Sequence, residues 1–475
     1  MALYGGVELV GQPNLENVAK LDLLPMPAIS EMMRVGMAID IPYLNLLTEE
    51  LDAEMVELRY EIASYIPLEK LDEFIEKANT DDDLLNVDSG DQLAALMFDT
   101  LGIGTGKQLK MTKSGKRIST GKKQLELLKH EHPVVPKVLM YKERAKLKST
   151  YTVPLPLLAK FHGDGLCWCG IHHPAESQRI HTTILSTRTS TSRYASKNPN
   201  LQNISVRSDL GRRVRKAFVA TGGTSIVGCD FSQAEMRLGA HYSLDENLVR
   251  IFEQGLDPHT DTAKRAFHTD NPDKLTQRDP CKNVNFGVFY GLSGAGLYDL
   301  MAVTYATAKM DMPADMTVEW CNQFIEDWFN LYPGVKGYIE KQHYRAYRYG
   351  VVWDLFGRIR RVPEVRSVHK RVVAAGLRQA GNMPIQACCA EWMKLAIAEV
   401  QEEVVKAFRA DGIYCWPLMT IHDELLLEVE NGYEEQAREL MEGIMADVMR
   451  DRDSGEWMFR VPVKADAKVM ERWSK

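Results

Sequence analysis

The chain has 475 residues, 45% of them hydrophobic, and its 58 basic and 65 acidic side chains give a formal net charge of −7. This is the composition of an ordinary globular protein, and the length predicts two or three lobes around more than one core. The net charge alone disfavours nucleic acid as a partner. No leader pattern, membrane-spanning stretch or secreted disulfide framework is present, so we expect a cytoplasmic protein without membrane contact.

The first part of the chain is predicted to be helical, with basic segments beside the helices. Leu, Glu and Lys recur at helical spacing from about residue 40 to 80, and a second long helix is predicted from Pro136 to Tyr151. Between them, Gly106–Lys123 holds seven Lys or Arg and no acid. A second basic cluster comprises Arg207, Arg212, Arg213, Arg215 and Lys216. Such runs are either solvated surface or contacts for phosphates.

The stretch "CWCGIHH" contains residues that bind transition metals. Cys167, Cys169, His172 and His173 are close enough in sequence to share a zinc ion, although the spacing is not that of a standard zinc finger. A surface loop with free thiols is the alternative, and the sequence leaves both open.

A strand that passes directly into a helix is predicted in "SIVGCDFSQAEMRLGAHYS". Its apolar residues lead to Asp230 at the strand end, followed by Glu235 on the helix. A strand end can hold a carboxylate at a cleft in a fixed position. Capping of the following helix is the alternative for Asp230.

The segment "RDPCKNVNFGVFYG" predicts a helix with one chemically unusual stripe. Arg278, Lys282, Phe286 and Tyr290 recur every four residues and therefore share a face. Two cations followed by two rings suit a nucleoside triphosphate, with charge for the phosphates and flat surfaces for sugar and base. We expect Thr276 to cap this helix. An ordinary amphipathic surface is the alternative.

The last part of the chain predicts a β-rich piece, a long helix and a hairpin. The piece is "VVWDLFGRIRRVP", and the helix lies near Pro384 to Phe408. In "WPLMTIHDELLLEVE" two apolar runs flank a turn at His422 and Asp423, which lifts acids out of a core strand. Such acids are usually capped, paired or bound to a metal.

Taken in order, "DFSQAEMR", "RDPCKNVNFGVFYG" and "IHDE" resemble the three polymerase motifs of family A DNA polymerases, the bacterial polymerase I-like group. The segments "LLPMPAISEMMRVGMAID", "ERAKLKSTYT", "SRYASKNPNLQNISVR", "LFGRIRRVPEV" and "LRQAGNMPIQ" resemble that family as well. The resemblance covers the chain from about Leu23 to its end.

The resemblance implies an α+β, right-hand polymerase fold, with an antiparallel palm sheet carrying helices and with helical fingers and thumb. The implied ranges are 1–46 for an N-terminal lead and palm base, 47–160 for the thumb, 161–235 for the first part of the palm, 236–372 for the fingers, and 373–475 for the second part of the palm.

The resemblance also implies a template-directed DNA polymerase that extends a primer 3′ end with deoxyribonucleotides, by two-metal nucleotidyl transfer. Asp230 and Asp423 are the implied ligands of two Mg²⁺ ions, for which Mn²⁺ is an expected substitute. Glu424 is expected to support them, and Lys282 to bind the triphosphate and protonate the leaving pyrophosphate.

Further roles follow from the same motifs. The residues implied for nucleotide binding are Arg278, Lys282, Phe286, Tyr290, His259, Gln233, Glu235 and Arg207. Among them, Glu235 is expected to exclude ribonucleotides by closing the space near the sugar 2′ carbon. The residues implied for primer–template contact are Arg193, Gln386, Arg378, Asn382, Asn200, Gln202 and His422, with Arg193 and Gln386 reading minor-groove acceptors.

One departure from the larger family members concerns proofreading. Only about twenty residues precede the matched region, so we expect no exonuclease in this chain. Whether a separate polypeptide supplies proofreading or processivity, as in compact viral replication systems, is left open by the sequence. A single-subunit RNA polymerase is a rival interpretation, which Glu235 disfavours. A catalytically inactive DNA-binding module is the non-enzyme rival, and Asp230, Lys282 and Asp423 argue against it.

Overall fold

A computed structural model describes residues 3–78, 85–106, 109–112, 114–206, 208–307 and 310–474. In chain order, its strands are β1 Met37–Ala38, β2 Lys160–His162, β3 Gly165–Leu166, β4 His172–His173, β5 Ser177–Ile180, β6 Thr183–Leu185, β7 Ala195–Lys197, β8 Thr224–Phe231, β9 Val351–Trp353, β10 Ile359–Arg361, β11 Cys415–Ile421, β12 Glu424–Glu430 and β13 Ala465–Met470.

The α-helices are α1 Leu15–Leu23, α2 Met26–Val35, α3 Ile41–Ala63, α4 Leu71–Ala78, α5 Gly90–Ala94, α6 Lys122–Leu127, α7 Val134–Leu147, α8 Pro154–Leu158, α9 Asp209–Arg215, α10 Ala234–Ser243, α11 Glu246–Glu253, α12 Pro258–Ala266, α13 Asp279–Gly287, α14 Gly294–Thr307, α15 Val318–Leu331, α16 Pro333–Tyr349, α17 Lys370–Val400, α18 Ala407–Ala410 and α19 Glu434–Ala446. Within the described ranges, no helix is both long and apolar enough to cross a bilayer.

The central sheet has the strand order β11-β12-β8-β13 and is antiparallel throughout. Its middle strands are buried on both faces, because α19 packs on β8 and β13 while α2 packs on β11. This burial explains why their sequences are apolar without strict alternation. The predicted strand-to-helix passage and the predicted hairpin are both confirmed, since β8 leads into α10 and β11 pairs with β12.

Of the three hydrophobic cores within the described residues, two are large, and a small third one packs α16, β9 and α17 together. The main core joins the N-terminal helices, the central sheet and the helices between β8 and β11. A second core is built from buried residues between Leu58 and Tyr141. A separate core is the property that defines a lobe able to pack by itself. The predicted range 47–160 for the thumb contains this second core.

The long helix α3 joins the two cores. Leu44, Leu47 and Leu51 belong to the main core, whereas Leu58 and Ile62 belong to the second. The predicted helix is confirmed, and it continues without a break across the predicted domain boundary at residue 47.

Much of the second basic cluster is engaged in ion pairs. Arg213 contacts the carboxylates of Glu50 and Glu54 on α3, and Arg215 is buried against Glu424. These two arginines therefore stabilise packing in this structure. Arg207, and the lysines at positions 107 and 113 in the first basic run, lie outside the described residues.

The prediction that the late helix begins near Pro384 was wrong. Helix α17 begins at Lys370 and passes through Pro384, which lies in its interior. Proline removes one helical hydrogen bond and usually bends or ends a helix. Here neighbouring side chains bind the backbone around it: Tyr338 donates to the Gly381 carbonyl at 2.8 Å, and Tyr242 to the Pro384 carbonyl at 3.2 Å. Tertiary packing therefore overrides the local signal.

Candidate active site

The carboxylates predicted as metal ligands meet at one end of the central sheet. Asp230 is the second-last residue of β8, and Glu424, the first residue of β12, pairs with it across the ladder. Asp423 lies in the turn before β12, and its carbonyl accepts a hydrogen bond from the N–H of Phe231 at 3.1 Å. His422 has a φ of 57°, which makes this turn tight. The structure therefore brings Asp230 and Asp423 to adjacent strand ends.

The alternative role of Asp230 as a helix cap is not observed. Gln233 occupies the N-cap position of α10, with a left-handed backbone and no capping hydrogen bond from its side chain. Asp230 lies within the strand and is partly exposed. This leaves its carboxylate at the rim of the sheet.

A third acid in the same row was missed at the sequence level. Asp466 on β13 pairs with Asp230 on the side opposite Glu424, and directly paired residues share a face of the sheet. Lys464 lies 3.5 Å from the Asp466 carboxylate. The pairing of β13 with β8 joins segments more than 200 residues apart, so no local pattern could reveal it.

Glu424 differs from its neighbours in burial. It is 4% exposed, and its carboxylate lies 3.5 Å from the guanidinium of Arg215. Burial lowers the pKa of Arg215, and that guanidinium also donates to the Ile204 carbonyl and stacks 3.9 Å from the centroid of the Trp473 ring. A buried cation thus neutralises Glu424 from within the protein, whereas Asp230 and Asp423 are partly exposed.

Four of the predicted site residues form one hydrogen-bonded network. Arg193 donates to Glu235 at 2.5 Å, the Tyr290 hydroxyl donates to the other oxygen of Glu235, and Gln386 donates to the Tyr290 hydroxyl at 3.2 Å. The network links the segment before β8 to α10, to the end of the predicted stripe and to α17. Residues assigned separately to the sugar and to the minor groove therefore contact one another in this structure.

The predicted stripe is present, although its backbone is not one uniform α-helix. Residues 274–278 form a π-helical turn, α13 follows, and residues 288–290 form a 3₁₀ turn. The predicted cap was wrong. Asp273 caps the start and accepts the N–H of Thr276 at 2.7 Å, because a carboxylate one turn earlier reaches the first exposed N–H groups.

The cations of the stripe have different surroundings. Arg278 contacts Asp257 at 2.9 Å and donates to the hydroxyl of Thr260 at 3.1 Å. Lys282, one turn later, is exposed. Asp257 also caps α12 through the N–H of Thr260. The arginine is therefore held against α12, while the lysine extends to the surface.

The protonation state of His259 follows from its contacts. Trp328 donates to Oδ1 of Asn285 at 2.7 Å, which fixes the orientation of that amide and makes its Nδ2 the donor to Nδ1 of His259 at 3.1 Å. Nε2 of His259 therefore carries the proton in the neutral ring. Burial lowers the pKa of His259 to about 4, so the ring is neutral at pH 7 and Nε2–H is its donor.

Asn285 is a positioning residue that the sequence did not reveal. It is fully buried on α13, one residue before Phe286, whose ring lies 5.4 Å from that of His259 between centroids. A buried asparagine in an apolar stretch was the available signal, since its amide must find partners.

The residues predicted to contact DNA differ in their burial and in their hydrogen-bond partners. Gln202 is buried and donates to the Thr420 carbonyl at 2.9 Å, so it supports the β11–β12 hairpin. Asn200 accepts from Ser196 at 2.9 Å. Arg378 and His422 are exposed, and Oδ1 of Asn382 is buried with no hydrogen-bond partner among the described residues.

The donor set at the sheet end fits hard divalent cations. Asp230 and Asp423 offer carboxylate oxygens, the ligands Mg²⁺ prefers, and both are accessible enough for water to complete an octahedral shell.

The "CWCGIHH" segment forms a different kind of cluster from the one predicted. His172 is exposed, whereas His173 is buried beside Cys167, Cys169 and His162, which comes from β2. Successive residues of a strand point to opposite faces, so adjacent histidines cannot share one ion here.

The chain is similar to known DNA polymerases. The model for DNA polymerase family A matches residues 54–475. The thermostable DNA polymerases I of Thermus thermophilus and Thermus aquaticus are each 36% identical over 94% of this chain and 47% of their own length. DNA polymerase I of Deinococcus radiodurans is 32% identical over 94% of this chain and 41% of its length.

A solved structure agrees. The POL domain of Pol1 from M. smegmatis, in complex with DNA primer-template and dNTP, superposes with a TM-score of 0.73 at 28% identity, covering 96% of this chain and 72% of that one. The chain belongs to DNA polymerase family A, and its α+β polymerase fold is confirmed. It spans about half the length of the curated relatives it matches.

Proposed function

We propose that this protein is a template-directed DNA polymerase that adds deoxyribonucleotides to a primer 3′ end. The observation that carries the proposal is the meeting of Asp230 and Asp423 at adjacent strand ends. The stripe from Arg278 to Tyr290 is joined to this region through Glu235 on α10. A nucleotidyl-transfer site needs this combination of metal-binding acids and a cationic, aromatic surface for the triphosphate.

Asp230 and Asp423 would hold two divalent cations, with Glu424 in a supporting role. The ions would supply an activated primer hydroxyl and a neutralised leaving group. The Arg215 contact supports the lesser role of Glu424, because that carboxylate already has a buried counter-charge. Mg²⁺ is the proposed metal, with Mn²⁺ as a substitute.

The triphosphate would lie along the stripe. Exposed Lys282 would reach the phosphates and protonate the departing pyrophosphate, and Nε2–H of His259 would donate to a phosphate oxygen as a neutral group. Arg278 would exchange its contact with Asp257 for a phosphate. The residues proposed to complete this surface are Gln233, Arg207, Phe286 and Tyr290.

Selection against ribonucleotides would depend on Glu235. Its two oxygens are held by Arg193 and Tyr290, so the carboxylate has a fixed position. A fixed carboxylate rejects a sugar 2′ hydroxyl more strongly than a mobile one, because it cannot move aside. This supports deoxyribonucleotides over the substrates of a single-subunit RNA polymerase.

The primer–template would lie across the sheet end. Arg193 and Gln386 would donate to minor-groove acceptors that all correct base pairs share, which checks geometry without reading sequence. Both belong to the network around Glu235, and each has further N–H donors with which to reach the DNA while that network is kept. Arg378, Asn382, Asn200, Gln202 and His422 complete the proposed contacts, with Gln202 acting through the hairpin. The second core would serve as the thumb, the helices from α10 to α16 as the fingers, and the central sheet as the palm.

The test is extension of a labelled primer on a DNA template, with and without Mg²⁺, and with deoxyribonucleotides and ribonucleotides in parallel. Wild type and Asp423→Ala are compared, and binding to the same primer–template is measured for both. Mg²⁺-dependent extension by deoxyribonucleotides, lost in the variant while DNA binding persists, is the expected result. DNA binding by a folded wild type without extension under any of these conditions would contradict the proposal.

A further inference from the structure

A cluster of two cysteines and two histidines lies apart from the acids described above. Nδ1 of His162, Nε2 of His173 and the sulfurs of Cys167 and Cys169 all lie within 4.8 Å of one another. The two nitrogens are 3.2 Å apart, and Cys167 Sγ lies 3.2 Å from His162 Nδ1. Cys169 Sγ lies 3.4 Å from His173 Nε2 and 3.7 Å from His162 Nδ1.

The local fold explains why these four residues meet. Strand β2 delivers His162, and the β3–β4 hairpin returns the chain so that His173 faces it. The hairpin loop closes through the N–H of Gly170, which donates to the Cys167 carbonyl at 2.8 Å. Gly170 has a φ of 72°, a conformation that costs glycine little, and this lets Cys167 and Cys169 point to the same side.

We propose that His162, Cys167, Cys169 and His173 bind one structural Zn²⁺ ion. Zinc bonds of about 2.3 Å to sulfur and 2.0–2.1 Å to nitrogen in a tetrahedron require ligand atoms roughly 3.3–3.8 Å apart. Four of the six separations between ligand atoms are 3.2–3.7 Å and match that requirement, and all six are within 4.8 Å. Two thiolates and two neutral imidazoles give the zinc-finger ligand set in a different spacing.

The outer nitrogens of both histidines support this assignment. The Tyr414 hydroxyl lies 3.1 Å from the Glu428 carboxylate, which can only accept, so the hydroxyl donates there. Nδ1 of His173, 3.2 Å from that hydroxyl, then donates to it. With its proton on Nδ1, neutral His173 presents an unprotonated Nε2 to the cluster.

His162 has an equivalent arrangement. Nδ1 of His181 donates to the Met33 carbonyl at 3.0 Å, so Nε2 of neutral His181 is an acceptor. Nε2 of His162 lies 3.0 Å from it and donates. Both ligand nitrogens therefore present lone pairs to the centre of the cluster, as the ligands of a metal ion do. Histidine ligands typically donate their other nitrogen in this way.

Burial indicates a structural rather than a catalytic site. His162 and His173 are 0% exposed and Cys169 is 5% exposed, so four protein ligands close the site and leave no position for substrate. The ion would fasten the β3–β4 hairpin to β2 and, through Tyr414, to the central sheet at the end of β12 opposite Asp423. Its function is independent of the proposed nucleotidyl transfer.

The first experiment measures bound metal in the purified full chain by elemental mass spectrometry after dialysis against a weak chelator. The adjacent histidines provide a matched pair, His173→Gln and His172→Gln. We expect one zinc per chain in the wild type and in His172→Gln, and loss of that zinc in His173→Gln and Cys169→Ser. Zinc at the wild-type level in His173→Gln and Cys169→Ser would overturn the proposal.

A second measurement uses only the wild-type protein, in case the variants fail to fold. Zinc is exchanged for Co²⁺, and the absorption spectrum is recorded. We expect thiolate-to-cobalt charge-transfer bands and the intense visible bands of a tetrahedral ion. Absence of both zinc and a thiolate–cobalt spectrum, or an intact mass two hydrogens low that shows a Cys167–Cys169 disulfide, would overturn the proposal.

Discussion

The two ends of strand β12 use polar residues in opposite ways. At its start, Asp423 in the turn is partly exposed, next to Asp230. Near its other end, Glu428 is fully buried and contacts Arg179 at 2.8 Å, Tyr414 at 3.1 Å and the N–H of Thr221 at 2.8 Å.

Asp230 and Asp423 are the proposed ligands of metal ions, whereas Glu428 stabilises the packing of the sheet. Carboxylates that must exchange water for metal ions need access, whereas a buried carboxylate is tolerated only when its partners are complete. One strand serves both purposes.

Replacing Asp230 by Asn should abolish activity without weakening the fold. Loss of this proposed metal ligand should remove several kcal/mol of transition-state stabilisation, so the rate of primer extension should fall by about 10³-fold or more. Single-turnover extension and urea unfolding measure the two effects. Asp466→Asn, in the neighbouring strand, is the matched control and should retain activity within about threefold. An equal loss in Asp466→Asn would show that the acid row acts as a unit.

Replacing Glu428 by Gln should have the reverse effect, a large loss of stability with activity retained in the folded fraction. Removing one partner of a buried ion pair leaves Arg179 uncompensated and costs about 3–5 kcal/mol. Urea unfolding measures the loss, and Glu430→Gln, at the less buried end of the strand, should cost below about 1 kcal/mol.

The pH dependence of that loss has a defined sign. Burial alone would raise the pKa of Glu428, but the charge and hydrogen bonds of Arg179 and the contacts of Thr221 hold it below its usual 4.5. The stabilisation is therefore fully present above pH 4.5 and is lost as pH falls through the folded-state pKa. Wild type and Glu428→Gln should converge in stability toward low pH, and a gap that widened on acidification would contradict this.

Replacing Asn285 by Asp should make nucleotide binding pH-dependent. A carboxylate cannot donate to Nδ1 of His259, so the proton moves to Nδ1 and neutral Nε2 presents a lone pair to the phosphates. We expect the KM for deoxyribonucleotides to rise about tenfold with increasing pH, as the neighbouring carboxylate raises the pKa of His259 toward neutrality.

In the wild type the same KM should show no such titration of His259 above pH 5, because burial holds its pKa at about 4. Asn283→Asp, two residues away, introduces the same charge without touching His259 and is the control. Identical pH profiles for the two variants would show that charge, and not the tautomer, is responsible.

Replacing Tyr414 by Phe should have a smaller effect on stability than replacing Glu428. It removes the hydroxyl that bonds both Glu428 and His173 and should cost about 2 kcal/mol of unfolding free energy, at about 1 kcal/mol for each of the two hydrogen bonds. Thermal unfolding at pH 7 measures it, with primer extension as the check that the start of β12 is unchanged. A loss as large as that of Glu428→Gln would mean that Tyr414 supports the ion pair itself.

The local sequence pattern was sufficient to predict the strand and the turn that carry Asp230 and Asp423. The strand ending near Asp230 and the turn at Asp423 follow from apolar runs with acids at their ends, and the motif order gave the fold. The proline rule failed at Pro384, because packing from Tyr338 and Tyr242 outweighs one lost hydrogen bond.

The rest depended on pairings that no local window contains. His162 replaces His172 in the proposed zinc site because β2 pairs with β5, which places His162 beside a hairpin that follows it in sequence. Asp466 joins the acid row only through the β13–β8 register. Asn285 acts through Trp328, 43 residues further along the chain.

Between Leu51 and Leu58 helix α3 has no fully buried residue, and besides the packing of Met55 against the second core its contacts in that interval are ion pairs. Glu54 pairs with Arg144 of α7 and with Arg213 of α9, and Asp52 pairs with Lys148, which directly follows α7. Partly exposed ion pairs weaken as salt rises. A rise in ionic strength would therefore weaken the contact between the lobes over the same range of salt concentration in which it weakens protein contacts with phosphates. In the proposed polymerase, release of the primer–template and separation of the two lobes would then occur over the same range of salt concentration.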